Sequence, residues 1–241
     1  MNVPNENIHV IITRYREYID WIQYLPESVT KIFIYNKGPK NSFFKDYTPS
    51  ELVKSKLEVI PIENVGRINH SLAFHIINNW ESLPDQLISL PGTILMSQKK
   101  GLYLSKILNV IKNGNIKDYK GFYSPRFQTV GKKYNYSIKE SPGLIKSDFS
   151  DLKDFNKNVL SDESDIRFVS LRSTFIVSKD NILFNDKNIF VKILLSLSVG
   201  DNSTNGYFVE RLWAHIFKKI GNFEIENSEE IPKNHSKCLI T

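Results

Sequence analysis

The first half of the chain alternates between short apolar runs and longer stretches whose apolar residues recur at helical spacing. Residues 8–15, IHVIITRY, are a continuous β-branched run, which is typical of a strand buried on both faces. Further strands are predicted in 30–39, 56–64 and 86–97, and helices in 16–25, 69–84 and 101–114. This alternation predicts an α/β fold with a mostly parallel central sheet flanked by helices.

The pattern loosens after residue 115, where 121–141 is aromatic, basic and rich in turn residues. Residues 166–182 return to strand character, and 188–200 look like a helix. Residues 205–221, NGYFVERLWAHIFKKIG, predict a strongly amphipathic helix that ends at a glycine. No internal repeat or clear linker divides the chain, so one domain over residues 1–241 is expected, with an extended tail at 222–241.

Composition and charge narrow the class of protein. The 241 residues are 41% hydrophobic and 24% charged, as in ordinary globular proteins, and the formal net charge is +6. That excess favours anionic partners, although compositional bias of the source genome explains it about equally well. The lysines are spread over the whole chain, so a nucleic-acid partner is not expected.

Localisation signals are weak. The N-terminus lacks a basic segment followed by an apolar one, so no signal peptide is predicted. The longest apolar run, 189–199, contains Lys192 and is too short to cross a bilayer. Cys238 is the single cysteine, which rules out an intrachain disulfide and a cysteine-based zinc site. We expect a soluble, cytoplasmic protein.

Polar clusters follow the four predicted strands of the first half. They are TRYRE (13–17), YNKG (35–38), NVGR (64–67) and SQKK (97–100). Ligands of open parallel sheets bind beside the carboxyl ends of the strands. The four clusters are therefore predicted to converge on one ligand site.

The turn at Gly66 and Arg67 allows two interpretations. Free N–H groups at a helix start attract phosphate, and an arginine can add a bidentate contact. Alternatively, the glycine makes a tight turn and the arginine pairs with a neighbouring carboxylate. The segment matches neither GxxxxGK[ST] nor GxGxxG, so spacing alone does not decide.

Acidic residues and histidines provide few candidates for catalysis or metal binding. Glu210 beside large apolar residues suits a general base, or forms a structural ion pair with Arg211. The cluster at 162–165, DESD, is interpreted as a solvated surface loop. His75 is interpreted as a core residue, and the scattered histidines form no metal motif, so no metal ligands are predicted.

Several segments together resemble a known family. VIITRYREYIDWI, KIFIYNKG, IENVGRINHSLAFHIINNWESLPD, STFIVSKDNI and GYFVERLWAHIF occur in the order found in domain of unknown function 3431, a family similar to small GT-A-fold glycosyltransferases. GYxxERL also resembles domain of unknown function 4422, and NxGR is similar to the NxGRD turn of rhamnan-synthesis glycosyltransferases. The resemblance covers roughly residues 8–220.

The resemblance implies a single GT-A-like (Rossmann-like) domain that binds a nucleotide-sugar donor, UDP- or GDP-linked, through residues 1–114. Residues 115–221 would then hold a glycan, lipid-linked or protein acceptor, with a peripheral membrane contact also open. The implied site residues are Thr13, Arg14, Asn36 and Lys37 around the base and ribose, Asn64, Gly66 and Arg67 at the diphosphate or sugar, and Glu210 and Arg211 near the acceptor or leaving group.

Two departures from the family pattern bear on catalysis. Ile68 stands where the NxGRD turn has its acid, and Ser97, Gln98 and Lys99 stand where a DxD motif would hold a divalent metal. Lys99, Lys100 or Arg67 would then neutralise the leaving diphosphate without metal. The alternative is that catalysis has been lost and only binding remains.

Overall fold

The computed structural model describes residues 7–112, 121–139 and 142–217. Eight strands lie in two sheets: β1 Ile8–Arg14, β2 Lys31–Asn36, β3 Leu57–Pro61, β4 Gln86–Pro91, β5 Phe122–Tyr123, β6 Phe127–Thr129, β7 Phe168–Ser170 and β8 Phe175–Ser178. The α-helices are α1 Glu51–Lys56, α2 Arg67–Asn78, α3 Gln98–Lys112, α4 Leu152–Leu160, α5 Lys179–Leu183, α6 Lys187–Leu197 and α7 Thr204–Phe217. Short 3-10 turns lie at Asp20–Tyr24, Trp80–Ser82 and Gly92–Leu95.

The central sheet has six strands in the order β3-β2-β1-β4-β8-β5. The first four are parallel, β8 runs antiparallel to β4, and β5 runs antiparallel to β8. A separate small sheet pairs β6 with β7. The predicted α/β class, with a mostly parallel sheet in a single Rossmann-like domain, is confirmed. Because β2 and β4 lie on opposite sides of β1, the strand order reverses between β1 and β4.

Apolar layers cover both faces of this sheet. Side chains alternate along a strand, so β1 sends Val10 and Ile12 to one face and Ile11 to the other. The first layer includes α3, and the second includes α2, α4, α6 and α7. This double burial explains why β1 is a continuous apolar run rather than an alternating one.

The segment predicted as a helix at 16–25 contains only the 3-10 turn Asp20–Tyr24. The Asp20 carboxylate accepts backbone N–H bonds from Lys45, Asp46 and Tyr47, at 2.9–3.1 Å. Ile19 also donates its N–H to the Phe43 carbonyl. The backbone is thus tied to the loop after β2, and helical hydrogen bonding does not extend over the predicted length.

Other boundaries shift by a few residues. The predicted strand 86–97 ends at Pro91, the helix predicted at 69–84 spans Arg67–Asn78, and the run 166–182 contains two strands separated by a polar turn. The final part of the helix predicted at 205–221, the tail and Cys238 lie outside the described residues. In the part of the chain that the structure describes, no helix has both the length and the apolar composition needed to cross a bilayer.

Candidate functional site

A cleft of about 380 Å³ opens at the carboxyl ends of the parallel strands. Its walls come from the segments after β1, β2, β3 and β4, from the turn before β8 and from α7. This is the point where the strand order reverses, which is where open α/β sheets bind ligands. The lining includes seven candidate residues named from the sequence: Thr13, Arg14, Lys37, Asn64, Arg67, Lys100 and Glu210.

The cleft is electropositive. Five cationic side chains line it, against two carboxylates. The cations are Arg14, Lys37, Arg67, Lys100 and Arg172, and the acids are Glu17 and Glu210. Clefts lined by charge of one sign concentrate ligands of the opposite sign, so this cleft favours an anion such as a phosphate ester.

Arg14 is directed into the protein and is only 1% exposed. Its guanidinium donates to Asn36 Oδ1 at 2.8 Å and to the carbonyls of Lys40 and Glu17, at 2.8 and 2.9 Å. It also lies 4.7 Å from the centre of the Phe43 ring. Asn36 is held behind it and is not among the lining residues. These two predicted site residues thus anchor the loop after β2 against β1.

Lys37 directly follows β2 and is 8% exposed. Its ammonium donates to the Val65 carbonyl, and its N–H donates to the Arg14 carbonyl at 2.9 Å. Burial lowers the pKa of Lys37 to about 7, against the opposing attraction of Glu63. Buried lysines with such pKa values are candidates for ligand or proton chemistry.

A glycine is needed at position 66 for the backbone geometry of the turn. Its φ is 57°, and a Cβ would lie 2.7 Å from Leu197 Cβ and 2.9 Å from the Leu197 carbonyl oxygen. Arg67 then opens α2, donates to Asn202 Oδ1 and lies 4.8 Å from the centre of the Tyr207 ring. Both partners are uncharged, so the charge of Arg67 remains available to a ligand.

A buried amide joins three walls of the cleft. Asn69 Oδ1 accepts from Ser173 Oγ at 2.6 Å and from Trp213 Nε1 at 2.7 Å, and its Nδ2 donates to the Gly206 carbonyl at 2.8 Å. Each of the three bonded segments also carries a charged residue. Arg67 precedes Asn69 by two residues, and Arg172 directly precedes Ser173. Glu210 lies one helical turn before Trp213. Asn69 therefore fixes the spacing of three charged groups in the cleft.

Arg172 lines the cleft but was not predicted from the sequence. Its φ is 79°, and that of Ser173 is 46°, both in a region that side chains other than glycine seldom adopt. Such backbone is often found at functional sites. The signal that could have revealed the turn is the polar LRST, which interrupts the apolar run between Val169 and Phe175.

Glu210 and Arg211 have separate surroundings. The Glu210 carboxylate lines the cleft and lies 4.0 Å from Arg211 Nη1. The Arg211 guanidinium lies 3.5 Å from the centre of the Tyr136 ring and donates to the Tyr207 carbonyl at 3.0 Å. Arg211 is not among the lining residues. The structure thus brings Glu210, but not Arg211, to the cleft.

The predicted cluster after β4, SQKK, reaches the cleft through its last residue. Because β4 ends at Pro91 and the turn Gly92–Leu95 intervenes, Ser97, Gln98 and Lys99 do not line the cleft. Lys100 does, and its ammonium donates to Thr93 Oγ1 at 3.1 Å. Ile68 also lines the cleft, at the position where the resemblance implies an acid.

The acidic segment 162–165 is only in part a solvated loop. Glu163 is exposed and pairs with Lys157 at 2.9 Å. Asp162, in contrast, accepts from the Ser164 N–H and contacts His215 Nε2, both at 2.8 Å. Within residues 7–112, 121–139 and 142–217, no group of three or more histidine, cysteine or acidic side chains could hold a metal ion.

No protein-family model matches the chain, and no curated protein matches it. The chemistry of the cleft therefore rests on the residues that line it.

Proposed function

We propose that the chain is a GT-A-like glycosyltransferase that moves a sugar from a UDP- or GDP-linked donor to a glycan, lipid-linked or protein acceptor. The observation that carries this proposal is the convergence of cationic side chains at the carboxyl ends of the parallel strands, beside β1 and β4. The volume of about 380 Å³ falls in the range of small-molecule sites. A diphosphate matches the charge of this cleft, and the sugar and base match its mixed polar and apolar walls.

Donor binding would use groups that the protein leaves available. Thr13 Oγ1 is buried in the lining and has no hydrogen-bond partner among the described residues, so it could bond to the ribose or base. Lys37, Arg67, Lys100 and Arg172 would surround the diphosphate. The Arg172 guanidinium donates no hydrogen bond to any other described residue.

The transfer step follows from this placement. An acceptor hydroxyl attacks C1 of the sugar, the bond from C1 to the diphosphate oxygen breaks, and the diphosphate leaves with the electron pair. The cations stabilise the negative charge that develops on the leaving oxygen. The Glu210 carboxylate accepts the proton of the acceptor hydroxyl.

A resident divalent metal fits the lining poorly. The two lining carboxylates belong to different segments, and Glu17 Oε2 already accepts the N–H groups of Tyr15 and Arg16, at 2.6 and 3.0 Å. In this proposal the basic side chains therefore perform the neutralisation that a DxD-bound metal performs in related folds.

Nucleotide binding is the first test. UDP-, GDP-, CMP- and dTDP-sugars, each with and without Mn²⁺, are added in thermal-shift measurements. A ligand at about 100 times its Kd is expected to stabilise the fold by about 2.7 kcal/mol. UDP- or GDP-sugars are expected to raise the melting temperature, with free sugars as controls. If no nucleotide-sugar shifts it, the transferase proposal fails.

A non-catalytic nucleotide-sugar or carbohydrate-binding module is the second candidate, because Ile68 lines the cleft where an acid is implied. Release of free nucleotide from a bound donor separates the two functions. For the transferase, Glu210→Gln is expected to lower turnover at least about 100-fold while donor binding remains. Glu163→Gln, at an exposed ion pair, serves as the control. Binding without any nucleotide release would favour the module.

A further inference from the structure

Lys37 differs from the other cations of the cleft in its surroundings. It is buried between β1, the loop after β3 and α2, with its ammonium on the Val65 carbonyl. The charged or titratable groups that interact with it are Glu63 from the loop after β3 and His70 from α2. The cleft that Lys37 lines also contains Arg67 and Glu17. No carboxylate among the described residues forms a close ion pair with it.

This environment disfavours the charged amine in the empty cleft. Burial removes the water that stabilises an ammonium, and Glu63 compensates only in part, so the pKa of Lys37 falls to about 7. His70 does not share the charge, because burial and the neighbouring Lys37 lower its pKa to about 4. Near neutral pH, the uncharged amine is thus favoured far more at Lys37 than in an exposed lysine.

Binding of an anion shifts the protonation equilibrium of Lys37 towards the ammonium. A phosphate oxygen beside the amine supplies the close opposite charge that no described carboxylate gives Lys37, and it therefore favours the protonated form. The arginines of the lining stay charged at every physiological pH and gain no proton.

We propose that Lys37 couples binding of the diphosphate in the cleft to uptake of one proton from solvent. The neutral amine gains the proton and becomes an ammonium, and no bond of the ligand changes. The coupling makes donor affinity depend on pH, and it rests on the proposed nucleotide-sugar function.

Isothermal titration calorimetry with UDP and GDP tests this coupling. At about pH 8 the nucleotide phosphates are fully ionised. The apparent binding enthalpy is expected to vary linearly with the ionisation enthalpy of the buffer, with a slope close to one proton per site. At about pH 6 the measurement uses UDP- or GDP-sugars, whose diphosphate has no proton that titrates in this range, and the slope is expected to fall close to zero. Affinity is expected to decrease by up to about tenfold per pH unit above about pH 7.

Matched variants show whether Lys37 is the group that takes up the proton. Lys37→Met is expected to bind more weakly with a slope near zero, and Lys37→Arg to bind without proton uptake because an arginine stays charged. Lys100→Met is expected to bind more weakly but to keep the slope. Lys45→Met, at an exposed lysine of the loop after β2, is expected to behave as wild type.

Each result of these experiments either supports or overturns the proposed coupling. Nucleotide binding with no buffer dependence at about pH 8, or an unchanged slope in Lys37→Met, would overturn the coupling but leave the proposed function intact. No binding of either nucleotide would overturn both. If the Lys37 variants do not bind, the ¹³Cε resonance of Lys37 in labelled wild-type protein decides, because its titration midpoint must rise when UDP is added.

Discussion

Replacement of Gly38 with alanine is expected to destabilise the fold by at least about 3 kcal/mol. A Cβ on this residue would overlap the carbonyl oxygen of Tyr15 and lie 2.5 Å from its carbonyl carbon. These are backbone atoms, so no change of side-chain rotamer relieves the overlap. The loops after β1 and β2 would have to separate, which would also break the hydrogen bond from the Lys37 N–H to Arg14.

Urea unfolding measures this effect, and Gly101→Ala is the matched control. The nearest atom to a Cβ at Gly101 is Leu95 Cδ2 at 3.6 Å, an ordinary contact. Gly101 lies within α3, where alanine is the better helix former, so a gain of about 0.5–1 kcal/mol is expected. A Gly38→Ala protein as stable as wild type would show that the two loops are not pressed together.

Acidification from about pH 7 to about pH 4.5 is expected to remove about 6 kcal/mol of stability through three buried histidines. Burial lowers the pKa of His9 and of His70 to about 4, and that of His75 to about 3. These values lie below that of an unfolded histidine, so the unfolded chain binds protons first. The stabilisation is complete above about pH 6.5 and is lost as pH falls towards about 4, at about 2 kcal/mol per histidine.

Urea midpoints across this pH range test the prediction, with His9→Phe as the diagnostic variant. The His9 ring packs 5.1 Å from Phe33 and 6.0 Å from His75, between centroids. Neither ring nitrogen has a hydrogen-bond partner among the described residues, so phenylalanine suits the site. The variant is expected to lose about 2 kcal/mol less on acidification than wild type. Equal losses would assign the acid sensitivity to other groups.

The central strands could be predicted because their pattern reports burial. A β-branched run such as Ile8–Arg14 is apolar on both faces only where both faces are covered, which is what the structure has. The direction of a strand, in contrast, leaves no pattern in the sequence. Phe175–Ser178 is antiparallel to β4 because of where the chain enters the sheet after residue 170, and periodicity does not encode that path.

The site was predictable where strand ends set the position. Thr13 lies near the end of β1, and Lys37 and Asn64 follow β2 and β3. The carboxyl ends of these strands meet at one edge, so the three residues reach the cleft. Arg14 shows the limit of this reasoning. Its direction depends on the Asn36 amide and on carbonyls of a loop whose course is not visible in the sequence. Ser97–Lys99 miss the cleft for a similar reason, since a turn follows β4.

The hydrogen bond between Asn69 and Trp213 joins residues 144 positions apart. During synthesis at about 5–20 residues per second, roughly 7–30 s separate the emergence of the two residues from the ribosome. Until α7 arrives, the Asn69 amide lacks the indole partner, and the helix that carries Glu210 is absent. A nascent chain would therefore present the four parallel strand ends first, and the wall of the cleft that carries Glu210 is added only once α7 has been synthesised.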